Sequence, residues 1–384
     1  MEIRLLKGHD FNEAVRLADW VFKRDGRISL ETAFPHIYTD ATSHSYGLFA
    51  DNRLASFIGF VPSVVTIGAA RLNVYSVGSV CTHPDYAGRG YAGEVLKHVI
   101  RHAEQAGASL ILVSGHRQLY TRAGCYPFGA FTQYRIGKEV AAAIMAERAK
   151  DVHLRPMIET DLFDLNRLFA DRTTRFERSV WDAAFLIKTV PIAKSRGYTH
   201  QVYLAERQGK VEAFVVVAIP GSPEATHHPF VVEYGGSPEG CAQLFAHVIS
   251  EHGLDAIKVV LSIHEKEDRE LGAKLEKYGT ERIELRNSGT VRIVDPGRLI
   301  EQAASCLRDK HEFTFGSLRM ERASELGYVI VACEGHQATI TDSQLVSLLF
   351  DEIPQLPDVD HILAADLKRL FPLPFPYVSG LNYI

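Results

Sequence analysis

The sequence predicts an α/β (α+β) chain of three consecutive domains, the second a degenerate copy of the first. Three observations predict it. Strand-like and helix-like periodicities alternate from the N-terminus, the same order starts again near residue 152, and the texture changes near residue 287. Length agrees, since 384 residues exceed what one core ordinarily accommodates.

The first copy opens with a strand, "EIRLL", and an amphipathic helix, "DFNEAVRLADWVF", with Asp10 at its start and Glu13 at the spacing of a capping box. "LFADNRLAS" reads as a hairpin and "VYSVGSVCT" as a buried strand. In "YAGEVLKHVIRHAEQAG", Val95, Leu96, Val99, Ile100 and Ala103 share one helical face, and Gly107 ends it. "SLILVSG" is a further buried strand.

"VHLRPMIETDLFDLNRLFADR" then repeats the opening strand, polar turn and helix. "YLAERQGKVEAFVVVAI" repeats the hairpin, and "FVVEYGGSPEGCAQLFAHVISEHGLDAIKVVLS" the strand, loop, helix and strand. Its loop is shorter and lacks the Arg-Gly-x-x-Gly spacing, so a structural role is expected of this copy. "GTVRIVDPGRLIEQA", "FTFGSL", "YVIVACEGHQATI" and "TDSQLVSLLFDE" suggest a small α+β domain with an antiparallel sheet. The boundaries drawn are 1–140, 141–286 and 287–384. The last fourteen residues, from Phe371 to Ile384, carry no ionisable side chain except Tyr377 and Tyr383, and are expected to lie against protein.

Composition narrows the function. A formal charge of −5, from 42 basic and 47 acidic residues, argues against a nucleic-acid partner. The apolar runs, such as "AFVVVAI", are strand-sized, and "MEIRLLKGHDFNEAV" resembles neither a signal peptide nor an anchor. No membrane partner and a cytoplasmic location are expected. Five dispersed cysteines (81, 125, 241, 306 and 333) without a C-x-x-C pair point to reduced thiols. No metal site is expected, because the histidines show no ligand spacing and "HEKED" only resembles H-E-x-x-H.

The chemistry concentrates in "SVGSVCTHPDYAGRGYAGEVLKHVI", residues 76–100. "GRGYAG" matches G-x-G-x-x-G, yet a dinucleotide site fits poorly. The loop from Thr82 to Arg89 is long and contains Pro84, and the next strand ends in Ser114, Gly115 and His116 where a ribose-binding acid belongs. A P-loop fails because Glu94 follows Gly93. Backbone amides holding a diphosphate explain the string better. Gly88, Gly90 and Gly93 admit close approach, the following helix adds its dipole, and Arg89 is able to lie across the anion. Glycines kept for packing alone are the plain alternative.

"VCTHPDYAGRGYAG" resembles the acetyl-CoA loop of GNAT acetyltransferases, R/Q-x-x-G-x-G/A, with Gly90 and Ala92 in the last two positions. Ala87 stands where Arg or Gln is usual. "LYTRAGCYPFG" (119–129) resembles the Tyr-x-x-x-Gly-Phe/Tyr segment, with Cys125 in place of the aromatic. Across its whole length the chain resembles the enhanced intracellular survival (Eis) family: a GNAT domain, a degenerate GNAT-like copy and a sterol-carrier-protein-like domain. The resemblance implies acetyl-CoA as co-substrate, touched by Val80, Cys81, Thr82, Gly88, Arg89, Gly90, Tyr91, Ala92, Gly93, Gly115 and His116. It implies Tyr120 as the acid for the leaving thiolate, with Tyr126 in reserve. The base it implies is the C-terminal carboxylate, here Ile384, and Trp20, Phe22, Phe34 and Tyr38 fall where the acceptor pocket is shaped. The expected function is acetyl transfer to a small-molecule amine by a homo-oligomer, the family's assembly being a hexamer. Transfer to a protein lysine or N-terminus, and a CoA-binding carrier of an apolar ligand, are the competing readings.

Overall fold

The computed structural model describes residues 1–22, 28–190, 197–221, 228–356 and 359–384. The chain divides into two compact units. One holds residues 1–129, 287–375 and 384; the other holds 130–286 and 376–383.

The first unit begins β1 (Glu2–Leu5), α1 (Asp10–Phe22), α2 (Leu30–Ala33), β2 (Tyr46–Ala50), β3 (Arg53–Ile67), β4 (Ala70–Thr82), α3 (Tyr91–Gln105), β5 (Leu110–Val113) and α4 (Gln118–Arg122). Asp51 and Asn52 both take positive φ (51° and 59°), the turn that suits a two-residue hairpin between β2 and β3. Strands run in the order β1-β2-β3-β4-β5, antiparallel except for the parallel β4–β5 pair. A strand from far along the chain, β14 (Thr290–Ile293), pairs antiparallel with β5. The helix α3 buries Val95, Leu96, Val99 and Ala103 against this sheet, while Ile100 sits at the margin of the cluster.

Asp10 opens α1, but no capping box forms. Its carboxylate takes two hydrogen bonds from Arg4 (2.6 and 3.0 Å) and one from the Lys7 amide (2.9 Å). Glu13 instead accepts the Leu54 amide at 3.2 Å, so both side chains tie the helix to strands where local spacing suggested a cap.

The second unit repeats the order: β6 (Ala130–Gly137), α5 (Lys138–Ala146), β7 (Val152–Pro156), α6 (Leu162–Asp171), β8 (Thr174–Phe176), α7 (Val180–Thr189), β9 (Tyr198–Arg207), β10 (Lys210–Pro220), β11 (Phe230–Gly236), α8 (Pro238–Glu251), β12 (Ala256–Ser262), α9 (Lys266–Lys277) and β13 (Glu281–Arg286). Seven of these strands form one sheet in the order β13-β6-β12-β11-β10-β9-β7. Arg155 grips Asp161 (2.7 and 2.8 Å), and Asp161 accepts the Ile158 amide (2.8 Å), the same clasp as Arg4–Asp10 at the same six-residue spacing. β6 precedes residue 140 but takes its partners here, pairing antiparallel with β12 and β13.

The later residues of the first unit form α10 (Pro296–Gln302), α11 (Ala304–Ser317), the antiparallel β15 (Arg319–Arg322), β16 (Tyr328–Cys333) and β17 (His336–Thr341), then α12 (Asp342–Phe350) and α13 (His361–Leu370). "FTFGSL" mostly falls within α11. Phe375 closes an aromatic cluster with Phe128 and Phe350, centroids 5.5 and 5.6 Å away. In the second unit, Leu381 is buried beside Val232 in the α6 core, and Arg178 donates to Asn382 (2.6 Å) and Glu233 (2.7 Å). All five cysteines are free. Among the described residues no helix is long and apolar enough to cross a membrane, and no metal-binding cluster of His, Cys, Asp or Glu occurs.

Candidate active site

β4 and β5 stay paired from Val74–Leu110 to Val77–Val113. Beyond that level Ser114 still donates to the Val77 carbonyl (3.2 Å), and the chain then turns into α4. The other edge of β4 remains on β3, but with a break: Phe57 faces Cys81 and Gly59 faces Gly78, so β4 carries one extra residue. Ser79 absorbs it with φ 51°, which makes this a β-bulge. Cys81 keeps its carbonyl toward β3, where Ser56 donates to it, and the His83 amide donates to Ala55. Strand alternation then turns the backbone groups of Val80 and Thr82 toward the open side.

The connection from β4 to α3 continues that edge. His83 caps a short 3₁₀ turn, Pro84–Tyr86, accepting the Asp85 amide at 3.2 Å. Gly88 and Gly90 have φ of 77° and 78°, a region that side chains resist, and no atom lies within 4 Å of where a Cβ would stand on either. Open space there means that backbone conformation, not crowding, requires glycine. Gly90 caps α3 without a side chain, so the first-turn amides keep no side-chain acceptor. Arg89 lies 5.1 Å over the Tyr86 ring at the loop's surface.

On one face of β4, Gly78 meets Ile384. A Cβ on Gly78 would stand 2.6 Å from the Ile384 carbonyl carbon and 2.8 Å from its oxygen. Gly59, its register partner, would clash with Ile37 in the same way, 2.5 Å away. Gly78 thus leaves room for Ile384, itself 7% exposed, and Gly59 leaves room for Ile37. Neither glycine was among the sequence candidates, although a glycine inside a strand is the usual sign of a bulge or a close approach.

The remaining candidates divide. Tyr120 is 6% exposed on α4, and its ring edge stands 3.0 Å from a Cβ built on Gly115. Val80 and Tyr120 belong to the same buried cluster. His116 is exposed. Tyr126 is pinned to β14 by paired backbone bonds with Val291 (2.9 Å each), and burial pushes its phenol up. Burial likewise pushes the Cys81 thiol up, which keeps it protonated and poorly nucleophilic. Of the four aromatics expected to shape an acceptor pocket, Phe34 and Tyr38 are buried, while Trp20 and Phe22 are exposed. Trp20 packs edge-on against His83, centroids 4.5 Å apart. Tyr38 stacks on Phe57 at 5.7 Å, and burial pushes its phenol up. Ser79 is near enough to ease that effect, yet no well-formed hydrogen bond reaches the Tyr38 hydroxyl among the described residues.

Residues 2–128 match the sequence family described as acetyltransferase (GNAT) domain. These residues are a GNAT acetyltransferase domain. Solved structures similar to the chain span it fully. A probable N-acyltransferase from Enterococcus faecalis V583 has a TM-score of 0.68 at 15% identity, over 97% of this chain and 98% of that one. A GCN5-related N-acetyltransferase from Anabaena variabilis reaches 0.66 at 13%, and Eis1 from Mycobacterium abscessus 0.63 at 12%, each over 100% of both chains. No curated protein matches the chain. GNAT domains use acetyl-CoA, and the residues of this one fit it: a diphosphate suits amides freed by left-handed glycines at a helix start, and an amide-bearing arm suits an open strand edge.

Proposed function

We propose that the GNAT domain moves acetyl from acetyl-CoA to the amine of a small molecule by direct attack. The observation that carries this reading is the Ile384 carbonyl group lodged against Gly78, one residue from the bulge in β4. An alkylamine with a pKa of about 10.4 is nucleophilic in only about one molecule in a thousand at neutral pH, so a base is needed. The Ile384 carboxyl group takes that proton. Bound acetyl-CoA supplies an activated acyl carbon. The Val80 amide, turned to the open side of β4, polarises the acyl oxygen, an arrangement that strengthens as charge develops there. Tyr120 returns a proton to the departing sulfur. The raised Cys81 thiol supports direct transfer over a covalent enzyme intermediate.

The second unit is read as a degenerate GNAT fold, supported by its repeated element order and its Arg155–Asp161 clasp. Residues 287–384 are read as the sterol-carrier-like part, supported by their helices and small antiparallel sheet. Assembly as a homo-oligomer is supported by bare apolar side chains on the second unit, Trp181 (86% exposed) and Phe163 (78%).

The test is release of free thiol from acetyl-CoA across a panel of amines, with the native chain and one extended past Ile384. Turnover on small amines by the native chain alone is expected. Equal turnover by both forms removes Ile384 from the mechanism, and turnover on peptides only overturns the substrate class.

A further inference from the structure

The second unit keeps an open sheet without the means to bind an anion there. β11 and β12 form a single parallel pair, Phe230 with Lys258, and the Tyr234 hydroxyl then bridges to the Val260 carbonyl at 3.3 Å. At this end of the unit lies a cavity of about 440 Å³, walled by α6, the start of β10, the end of β11, α8 and the start of α9. That volume suits a small molecule.

Two of its three basic groups are already engaged, and the third, Lys210, is exposed. Arg172 gives both terminal nitrogens to Asp268 (2.9 and 3.2 Å) and covers the Tyr234 ring at 5.0 Å. Arg167 is held by Asp164, Asp171 and the Val211 carbonyl. Its acidic groups outnumber them. Five carboxylates line the cavity against three basic side chains. Glu265 is 5% exposed and has no ion pair of its own among the described residues; burial pushes its carboxyl up, opposed in part by Thr174 and Arg172. Glu212 pairs with Arg207 through one oxygen (3.3 Å), while its other oxygen is shut off from solvent with no hydrogen-bond donor among the described residues. Leu168, Val211 and Leu271 supply apolar wall.

We propose that this cavity binds a small organic cation, an amine on an apolar body, with its ammonium on Glu265. A cation gives an ion pair to a buried carboxylate that has none among the described residues; an anion meets excess negative charge, and a neutral ligand leaves Glu265 as it was. The proposal is independent of acetyl transfer by the GNAT domain.

The experiment is calorimetry on the full chain with 4-phenylbutylamine and its neutral counterpart, 4-phenylbutan-1-ol. The amine is expected to bind at least about tenfold more tightly than the alcohol, a preference lost in Glu265→Gln and retained in Glu265→Asp. Acetyl-CoA uptake and turnover should match the native chain in both variants, which separates this site from the acceptor site. Without any variant, the amine and not the alcohol should raise the thermal midpoint of the native chain. No amine binding up to millimolar concentration, equal binding of amine and alcohol, or an unchanged amine titration in Glu265→Gln each overturns the proposal.

Discussion

In the first unit eight residues, His83 to Gly90, separate the end of β4 from the start of α3; in the second, Ser237 alone separates β11 from α8. The long connection leaves amides bare at a helix start capped by glycine. The short one uses them up: Ser237 accepts the Gly240 amide at 3.1 Å, and Pro238 at the first helical position has no N–H. A second exchange lies after the next strand. Arg117 and Glu265 are both helix N-caps, and three residues on stand Tyr120 in one unit and Asp268 in the other. Asp268 instead accepts hydrogen bonds from both terminal nitrogens of Arg172. Shared framework, then, does not carry shared chemistry; a loop length and one side chain decide it.

The comparison breaks most severely at Ile384. Deleting it, or extending the chain beyond it, should lower kcat by about 10²–10⁴-fold with little change in acetyl-CoA affinity, measured by steady-state kinetics beside calorimetry. Gly78→Val should approach that loss, because its side chain takes the place of the Ile384 carbonyl; unaltered kcat in a folded variant would detach the terminus from the reaction. Tyr120→Phe should cut kcat by about 10–100-fold, with CoA binding intact. Gly88→Val and Gly90→Val should each weaken acetyl-CoA binding about fivefold to thirtyfold, the effect of about 1–2 kcal/mol for a side chain in the left-handed region. Tyr120→Phe and the glycine changes thus sharpen the contrast by separating chemistry from binding.

Effects on stability, with turnover left aside, should be the same in both units. Arg4→Met and Arg155→Met should each cost about 1.5–3 kcal/mol, read from denaturant unfolding. Hydrogen bonds from Arg4 and Arg155 hold the carboxyls of Asp10 and Asp161 below their usual range. A carboxyl lowered on folding adds stability that is complete above the unfolded value of about 3.9 and disappears as pH falls through the lowered one. Acid unfolding followed by circular dichroism should therefore move to higher pH in either variant.

Much of this was legible in residues whose signals are local. Asp51-Asn52 and Gln208-Gly209 announce their hairpins because positive φ selects those residue types, and both turns adopt it. The strand, glycine loop and helix around Gly88–Gly93 were readable for the same reason. Long-range partners were not. "GTVRIVD" reads as a strand but carries no trace of β5 as its neighbour, and Arg4 cannot announce that it will grip Asp10 and pre-empt a cap. Ser79 looks like any strand residue, since a bulge is set by the register of two strands rather than by one.

That single inserted residue changes which way the rest of β4 faces. Val77 and Val80 are three apart, a spacing that sends side chains to opposite sides of a regular strand, yet both enter the core beneath α3. Removing Ser79 would put the downstream half of the strand out of phase, exposing Val80 to the wrong side and turning the Thr82 end of the edge back on itself. A one-residue deletion there is a larger injury than most substitutions nearby, and the position tolerates replacement far better than loss.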